Sequence, residues 1–461
     1  MRTSAARVVS HELDTPSSVH EHVTDWSGTN AIGQKIDLLE IDNEEDLARL
    51  MKSTRFPIRV HGSKLSPVRL LQPDQGGQRM LSLSGPQGLI AATSDTITFG
   101  AATPLADVHA TLKAAGRALP ASPGVIARQS LAGALATGMH GQGISQSSLA
   151  DAATSFRAVL ADGSIQEFHE DDPCFGAMQL SLGSLGIFTQ VTLRTRAAET
   201  YTCLKRSVSG KTLKENYLDW IRSYRHCKAW WFPGEDCAHI WLGREATRDE
   251  AARYKQGDGG AVELTAASAS MNDVVDKAIG HLRNDLHDHK EAGVQFKTLK
   301  RFQNFKDVTG DVYQLFCNGI AAPQVNVEIA LPIEKFVPAI QKLQSWHRSN
   351  RSHMHYPVIM RCSGPSTAWL SPAYDQTVCY FGFVVYQADD GSITEDGCRF
   401  LQEVQRLLAE EGGRPHWGKH FDKSLFNWPE LYPRWNEFTS LRRKLDPKRR
   451  LANRFLESVG F

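Results

Sequence analysis

The chain contains no run of about 18 consecutive apolar residues, the length a membrane-spanning helix requires. Mean hydropathy is −0.34, and the opening stretch MRTSAARVVSHELDTPSSVHEH has no apolar core of the signal-peptide type, so a short polar tail is expected there. Charge of one sign is also lacking. Fifty-two Lys and Arg stand against 51 Asp and Glu, a formal net charge of +1. That balance provides no global field for polyanions and argues against a dedicated nucleic-acid or anionic-membrane binder. The eight cysteines include no CxxC and no pair closer than Cys227 and Cys237, which excludes zinc-finger and thioredoxin-like spacing. Without a secretory signal they are expected as free thiols in a reducing compartment, the cytoplasm.

Several chemical motifs are missing too. No GxGxxG follows a strand, and the run GMHGQG (138–143) has its glycines in another order, so a nicotinamide-binding Rossmann domain is not expected. Gly210-Lys211-Thr212 resembles the end of a phosphate loop, but the position that requires glycine holds Lys205. His281, Asp285 and Asp288 fall on one face of a helical HLRNDLHDH stretch; a metal site is conceivable there, but a solvated polar face is the simpler reading. No internal repeat is visible.

What is present begins with length. At 461 residues, two or three lobes are expected. Asn43, followed by the acids Glu44 to Asp46 and by Leu47, Leu50 and Met51, predicts a capped amphipathic helix. FPIRV (56–60), MLSLS (80–84) and TITFG (96–100) read as strands, and a helix is expected after Thr103 as cap, with Gly116 as its stop. FRAVLADGSIQEF (156–168) predicts a hairpin about Asp162-Gly163. Near 197–203 the texture shifts to Trp, Lys and longer helical stretches, which suggests a domain boundary. Residues 254–272 are polar and small, a predicted loop, while VNVEIALP (325–332) and CYFGFVVYQ (379–387) read as strands.

Three glycine-rich loops, HGSKLS (61–66), ALATGMHGQG (134–143) and LGSLG (182–186), adjoin β-prone sequence. Any one of them could serve only a tight turn. Together they offer a series of unobstructed backbone N–H groups of the kind that bind phosphate oxygens, and they make an extended, phosphate-bearing cofactor credible.

On these residues the chain resembles a known group. Trp26-Ser27-Gly28, RVHGSKLSP, SPGVIARQSLAGALATGMHGQG, GSLGIFTQVTLR, WLSPAY (369–374), RPHWGK (414–419) and LDPKRRLANRFL (445–456) occur in the order found in the FAD-linked sugar-1,4-lactone (aldonolactone and alditol) oxidases of the vanillyl-alcohol-oxidase flavoprotein superfamily. The resemblance implies an α+β, two-domain flavoprotein. A polar tail (1–25) would precede an FAD-binding domain (26–197), a substrate domain with a large antiparallel sheet flanked by helices (198–410), and a C-terminal segment returning to the flavin (411–461). It implies that Gly62, Ser63 and Ser66 form the first phosphate loop. Ser130, Gly133, Thr137, Gly138 and His140 match the second cofactor segment, and Gly186 and Ile187 the stretch beside the adenosine part.

Where family members attach FAD covalently a histidine stands in a GSGHS-like motif. Here that position is Leu65, which has no nucleophilic nitrogen, so FAD is expected to be non-covalent. Lys64 replaces a glycine beside it. Gly124, before Gln129, matches the position where a larger residue shields the flavin in some dehydrogenases; glycine there favours an oxidase using O₂. The family's Glu-x-Arg strand reads Ile359-Met360-Arg361, and a frequently polar position is Val125, so the chain keeps the arginine and lacks the glutamate. Arg361, Lys419 and His416 are the expected catalytic residues, with Val125, Ile359, Trp417 and Glu328 in the substrate pocket. Glu328 is the alternative acid, and His61 is a further candidate base. The expected activity is hydride transfer from an alcohol or lactone-like hydroxy compound to flavin, with O₂ as acceptor and H₂O₂ as product. The apolar replacements point to a non-sugar, natural-product substrate. An aldonolactone dehydrogenase using another acceptor, and a flavin-binding scaffold or cyclisation catalyst without redox chemistry, stay open. No membrane span, nucleic acid or metal is expected, and the oligomeric state is left open.

Overall fold

The structure, a computed structural model, describes residues 23–24, 31–32, 37–71, 79–122, 124, 128–234, 236–257, 307–317, 324–350, 357–387, 393 and 395–461. Trp26-Ser27-Gly28, Val125 and the 281–289 stretch lie outside the described residues.

The first part of the chain builds a three-stranded and a five-stranded sheet, besides two short two-stranded ladders (Val23–Thr24 with Ala31–Ile32, and Arg117–Ala118 with Arg196–Ala197). Strands β1 (Asp37–Ile41), β2 (Ile58–His61) and β3 (Arg79–Leu83) are parallel in the order β1-β3-β2. Helix α1 (Glu44–Ser53) crosses between β1 and β2, capped as expected: the Asn43 side chain accepts from the Asp46 N–H at 2.8 Å. Its Leu47, Leu50 and Met51 are buried against Ile58, Leu81 and Val159. Strand β2 delivers the chain into the Gly62–Ser66 loop at the carboxyl end of the parallel strands, where open α/β sheets bind ligands.

The second sheet is antiparallel, with β4 (Leu89–Ala92), β5 (Thr96–Gly100), β6 (Ala153–Val159), β7 (Ile165–His169) and β8 (Ile187–Arg194) in the order β7-β6-β8-β5-β4. The hairpin about Asp162-Gly163 is present, with Gly163 at φ 81°, a left-handed value that favours glycine. Helices α2 (Leu105–Ala114) and α3 (Leu131–Ala136) lie between β5 and β6. Thr103 is not the cap of α2. Its hydroxyl donates to the Gly100 carbonyl (2.6 Å) and accepts from the Gly88 N–H (2.8 Å), which leaves Pro104 at the cap position without a side-chain bond.

The rest of the molecule is organised by one antiparallel sheet of eight strands: β9 (Tyr201–Ser209), β10 (His226–Phe232), β11 (Cys237–Glu245), β12 (Val308–Gly310), β13 (Gln324–Pro332), β14 (Val358–Ser363), β15 (Val378–Tyr386) and β16 (Arg414–Pro415). Their order is β12-β9-β11-β10-β14-β15-β13-β16. Within the predicted 254–272 loop, residues 254–255 instead close a helix, Arg248–Lys255, which a Thr247–Glu250 capping box starts; residues 258–272 lie outside the described ones.

Strand side chains alternate between faces, and here the two faces differ sharply. Trp231, Val327, Met360, Cys362, Phe381 and Phe383 point to a face covered by helices α4 (Gly210–Ser223), α5 (Phe336–Asn350) and α6 (Glu395–Ala409). Tyr217 stacks on Phe336 at 4.3 Å, and Phe383 meets Phe400 edge-on at 5.9 Å. Each such buried aromatic contributes roughly 2–3 kcal/mol. The opposite face carries the ionisable side chains.

After β16 the chain returns to the first part. Ile58 N–H donates to the Arg450 carbonyl (2.7 Å), Arg59 Nη1 to Leu451 O (2.6 Å) and Asn453 Nδ2 to Arg69 O (3.0 Å). All eight cysteines are free thiols. No helix among the described residues is long and apolar enough to cross a membrane.

Candidate functional site

Strand register sets two transverse rows on the uncovered sheet face. One row runs Ser207, His239, Trp230, Ile359, Gly382, Glu328, and the next runs Lys205, Trp241, Lys228, Arg361, Tyr380, Ala330. Ile359 and Glu328 therefore flank the same residue, Gly382. With no side chain at Gly382, Glu328 leans across the intervening strand, and its Oε1 accepts from Arg361 Nη2 at 2.5 Å. The position where the resemblance leads to an expected glutamate is Ile359 here, yet a carboxylate reaches the same arginine from two strands away.

The Glu328 carboxylate is almost fully buried (3% exposed) and has three cationic or protic neighbours. Burial pushes its pKa up, but the Arg361 charge, with help from His140 and His416, outweighs that and holds it well below the usual range. His140 Nε2 stands 3.4 Å from Glu328 Oε1, and its ring stacks on Tyr380 at 3.5 Å. Its Nδ1 lies 3.2 Å from the Gly141 carbonyl, and burial lowers its pKa. His416 lies on the far side, its ring 5.4 Å from that of His140. Burial pushes the His416 pKa down to about 3, so its ring is neutral. Its Nδ1 accepts from the Gly418 N–H at 3.0 Å, which places its proton on Nε2.

His140, Glu328 and His416 come within 4.8 Å of one another, close enough for metal ligation. The chemistry of the set argues otherwise. The carboxylate already serves Arg361, whose positive charge stands beside the set and disfavours a cation there.

The RPHWGK segment joins this group by pairing in the sheet: Ile329 pairs with Pro415, and the His416 N–H donates to the Glu328 carbonyl at 2.9 Å. Lys419 is surrounded by protein but keeps part of its surface open; burial lowers its pKa, Glu328 opposes that and Arg361 adds to it. Trp417 is placed differently from the expectation. It is packed among Trp428, Tyr432, Phe421 and Phe461, and its Nε1 donates to the Leu370 carbonyl at 2.8 Å. It anchors the hexapeptide in an aromatic core and does not face the Glu328 cluster.

The cofactor-segment residues form a continuous track to this cluster. A side chain at Gly62 would overlap Ser130 Oγ, and one at Gly133 would lie 2.9 Å from the same atom, so the two glycine loops close on each other. Ser63 Oγ donates to the Arg128 carbonyl at 2.5 Å, and Thr137 Oγ1 to the Gly133 carbonyl at 2.9 Å. Gly138 sits at φ 78° with Leu180 behind it. A side chain at Gly418 would meet Thr137 at 3.4 Å, joining the track to His416. Among the described residues, the backbone N–H groups of Ser63 to Ser66 donate to no carbonyl. Lys64, inside this turn, has φ 55°. Four consecutive free N–H groups in a left-handed turn are a fit for phosphate oxygens, so the residues present suit FAD. Leu65 and Ser66 are half-buried in that turn, and Gly124 is buried beside Met139. The Ile187 side chain is enclosed in the core with Leu47, Val159 and Leu451, so only backbone at Gly186–Ile187 is left to meet a ligand. His61 is buried under the loop with Nδ1 at the Gly62 carbonyl, and burial lowers its pKa.

Residues 38–169 match the FAD binding domain family, and residues 191–459 match the D-arabinono-1,4-lactone oxidase family. The chain belongs to that second family. Like its relatives it is an FAD-dependent oxidoreductase acting on CH–OH groups. It is 25% identical over 394 residues to the L-gulono-1,4-lactone dehydrogenase of Mycobacterium tuberculosis, covering 83% of this chain and 84% of the relative. It is 25% identical to the L-gulonolactone oxidase of Mus musculus (79% and 81% covered) and 24% identical to the alditol oxidase of a Streptomyces species (80% and 82%). Among solved structures, a solvent-stable cholesterol oxidase superposes with a TM-score of 0.75 at 15% identity, covering 96% of this chain and 98% of that one. The cholesterol oxidase of B. sterolicum gives 0.72 at 14% identity, with 96% and 97% covered. These show the shared two-domain α+β flavoprotein fold.

Two residues beside this cluster, Tyr380 and Lys228, were not singled out in the sequence. The signal for Lys228 was available: it is an ionisable residue inside the apolar strand HCKAWWF, whose seven residues are all buried.

Proposed function

We propose that the protein is an FAD-dependent oxidase that takes hydride from the C–H of an alcohol or lactone-like hydroxy compound, with O₂ as acceptor and H₂O₂ as product. The observation that carries this reading is the buried Glu328–Arg361 pair flanked by His140, His416 and Lys419 at the end of the glycine track. Bound FAD supplies the two-electron acceptor; the protein supplies orientation, proton handling and electrostatics.

Glu328 accepts a hydrogen bond from the substrate hydroxyl and holds its proton as C–H cleavage proceeds, with the His140 ring packed beside the carboxylate on the other side. Arg361 and Lys419 place fixed positive charge where negative charge develops on substrate and cofactor oxygens. His416, neutral with its proton on Nε2, donates into the same space. The site is half polar and half apolar, since Ile359 and Trp230 continue the Glu328 row. That favours a substrate with an apolar body beside the reacting hydroxyl, less oxygenated than a sugar lactone. The loss of the strand glutamate is a weaker argument for an altered substrate, because Glu328 takes its place.

Leu65 in the turn supports non-covalent FAD. Acid precipitation tests this: a yellow supernatant is expected, and a yellow pellet would overturn it. Gly124 supports O₂ as acceptor. A Cβ there would lie 3.3 Å from Met139 Cγ, so Gly124→Ala fits with a small shift of that flexible side chain. The variant is expected to slow flavin reoxidation by O₂ tenfold or more while dye reduction continues. Equal reoxidation in both proteins would favour the dehydrogenase reading, which the mycobacterial relative's name keeps in view. Anaerobic flavin bleaching by substrate separates either from a non-redox scaffold.

A further inference from the structure

Lys228 is 8% exposed, lies in the middle of strand β10, and is not used by the chemistry above. Its Nζ sits 4.9 Å from the Trp241 ring and 5.3 Å from the Trp230 ring. Among the described residues no carboxylate or other hydrogen-bond acceptor is paired with it. Its neighbours along the row make this more costly: Arg361 on the adjacent strand is positive, and the Glu328 carboxylate is committed to Arg361.

A buried ammonium without a counter-ion is expensive. Two indole faces offset part of that cost, but a π-face leaves the N–H donors unfilled. The arrangement therefore suits a ligand that brings the missing anion. We infer that Lys228, between Trp230 and Trp241, is a binding site for a carboxylate group of the substrate, so that the enzyme acts on hydroxy acids with an apolar frame. One ammonium neutralises one charge, and a phosphate dianion would be left half-compensated in a buried site. Strands lie about 4.8 Å apart, and Lys228 is one strand from Arg361 and three from Glu328. Three spacings put the two residues about 14 Å apart, and a contact of about 3 Å at each end leaves roughly 8 Å between a carboxylate held by Lys228 and the carbon oxidised at Glu328. Ile359 lies on a strand between the two and Trp230 beside Lys228 on its own strand, where an apolar frame would pack.

The identity of the ligand as substrate rests on the oxidase reading, but its binding does not. The test uses two probes that differ only in charge, 4-(hydroxymethyl)benzoate and 4-(hydroxymethyl)benzamide, with benzoate and benzamide as a non-oxidisable pair. Calorimetry on the holoprotein is expected to show each carboxylate binding at least tenfold more tightly than its amide. Lys228→Met should erase the preference, and Lys228→Arg should keep most of it. Equal binding of acid and amide in both pairs, absence of binding included, overturns the proposal, as does a preference that survives Lys228→Met. A Lys228-dependent preference without anaerobic flavin bleaching by any alcohol upholds the anion site and sinks the oxidase reading. Bleaching by neutral alcohols with no charge preference does the reverse.

Discussion

Glu328 with Arg361, and Lys228 one strand further on, are charged groups buried on the same face of the same sheet. At Glu328 the charge is balanced within the protein, by the Arg361 guanidinium, with two neutral imidazoles beside it. At Lys228 the only partners among the described residues are aromatic faces. A balanced group can stay ionised and take part in a reaction with its pKa held in place, whereas an unbalanced one is poised for a ligand. On the reading proposed above, the difference separates where chemistry occurs from where a substrate is recognised.

The comparison can be broken at several points. The largest effect is expected for Glu328→Gln, which keeps shape and removes the proton-holding charge. Its kcat should fall roughly 10²–10⁴-fold, while the flavin spectrum persists; stopped-flow flavin reduction checks this, and an unchanged rate would remove Glu328 from the reaction.

Next come two truncations that should move stability in opposite directions. Arg361→Met strands a buried carboxylate and should cost about 3–5 kcal/mol. Lys228→Met removes a charge that has no partner, so the denaturant midpoint should hold or rise. Equal loss in both would mean that Lys228 is balanced after all.

A third prediction concerns pH. Burial, then the Arg361 charge, lowers the Lys228 pKa to about 8; Lys205 on β9 adds slightly, while the Cys203 and Cys317 thiols oppose it. Lys228 is charged below that value and neutral above it. The KM of an anionic substrate should therefore rise as pH passes about 8, with that of its neutral amide unaffected by this group. In the folded protein this lysine binds its proton less tightly than in the unfolded chain. It therefore makes stability increase with pH between about 8 and its ordinary value near 10.5. The smallest effect is expected at the phosphate turn. Lys64 occupies φ 55°, so Lys64→Gly should stabilise the protein by up to ~1 kcal/mol, read as a small increase in the denaturant midpoint.

Much of the architecture was legible because its causes are local. The Asn43 cap, the Asp162-Gly163 hairpin and the strands at 58–61 and 96–100 follow from neighbours a few residues apart. Thr103 misled because its hydroxyl found Gly88 and Gly100, partners supplied by a fold and not by a helix start. Trp417 misled for a related reason: its motif marks a place in the chain, while the direction of its ring was set by Trp428, Tyr432 and Phe461.

The sequence by itself determined that this is a near-neutral chain with glycine loops for a phosphate-bearing cofactor and the landmarks of one flavoprotein group. Those features are contiguous, and backbone freedom at glycine does not depend on distant residues. Only the tertiary structure decided which acid serves Arg361 and which cation lacks a partner. Glu328 and Arg361 are 33 positions apart, and Lys228 and Arg361 are 133 apart. Strand order and register, fixed by the apolar face that must be buried under helices, set which of them meet. The same alternation that buries Trp231 and Met360 on one side delivers Lys228, Arg361 and Glu328 to the other.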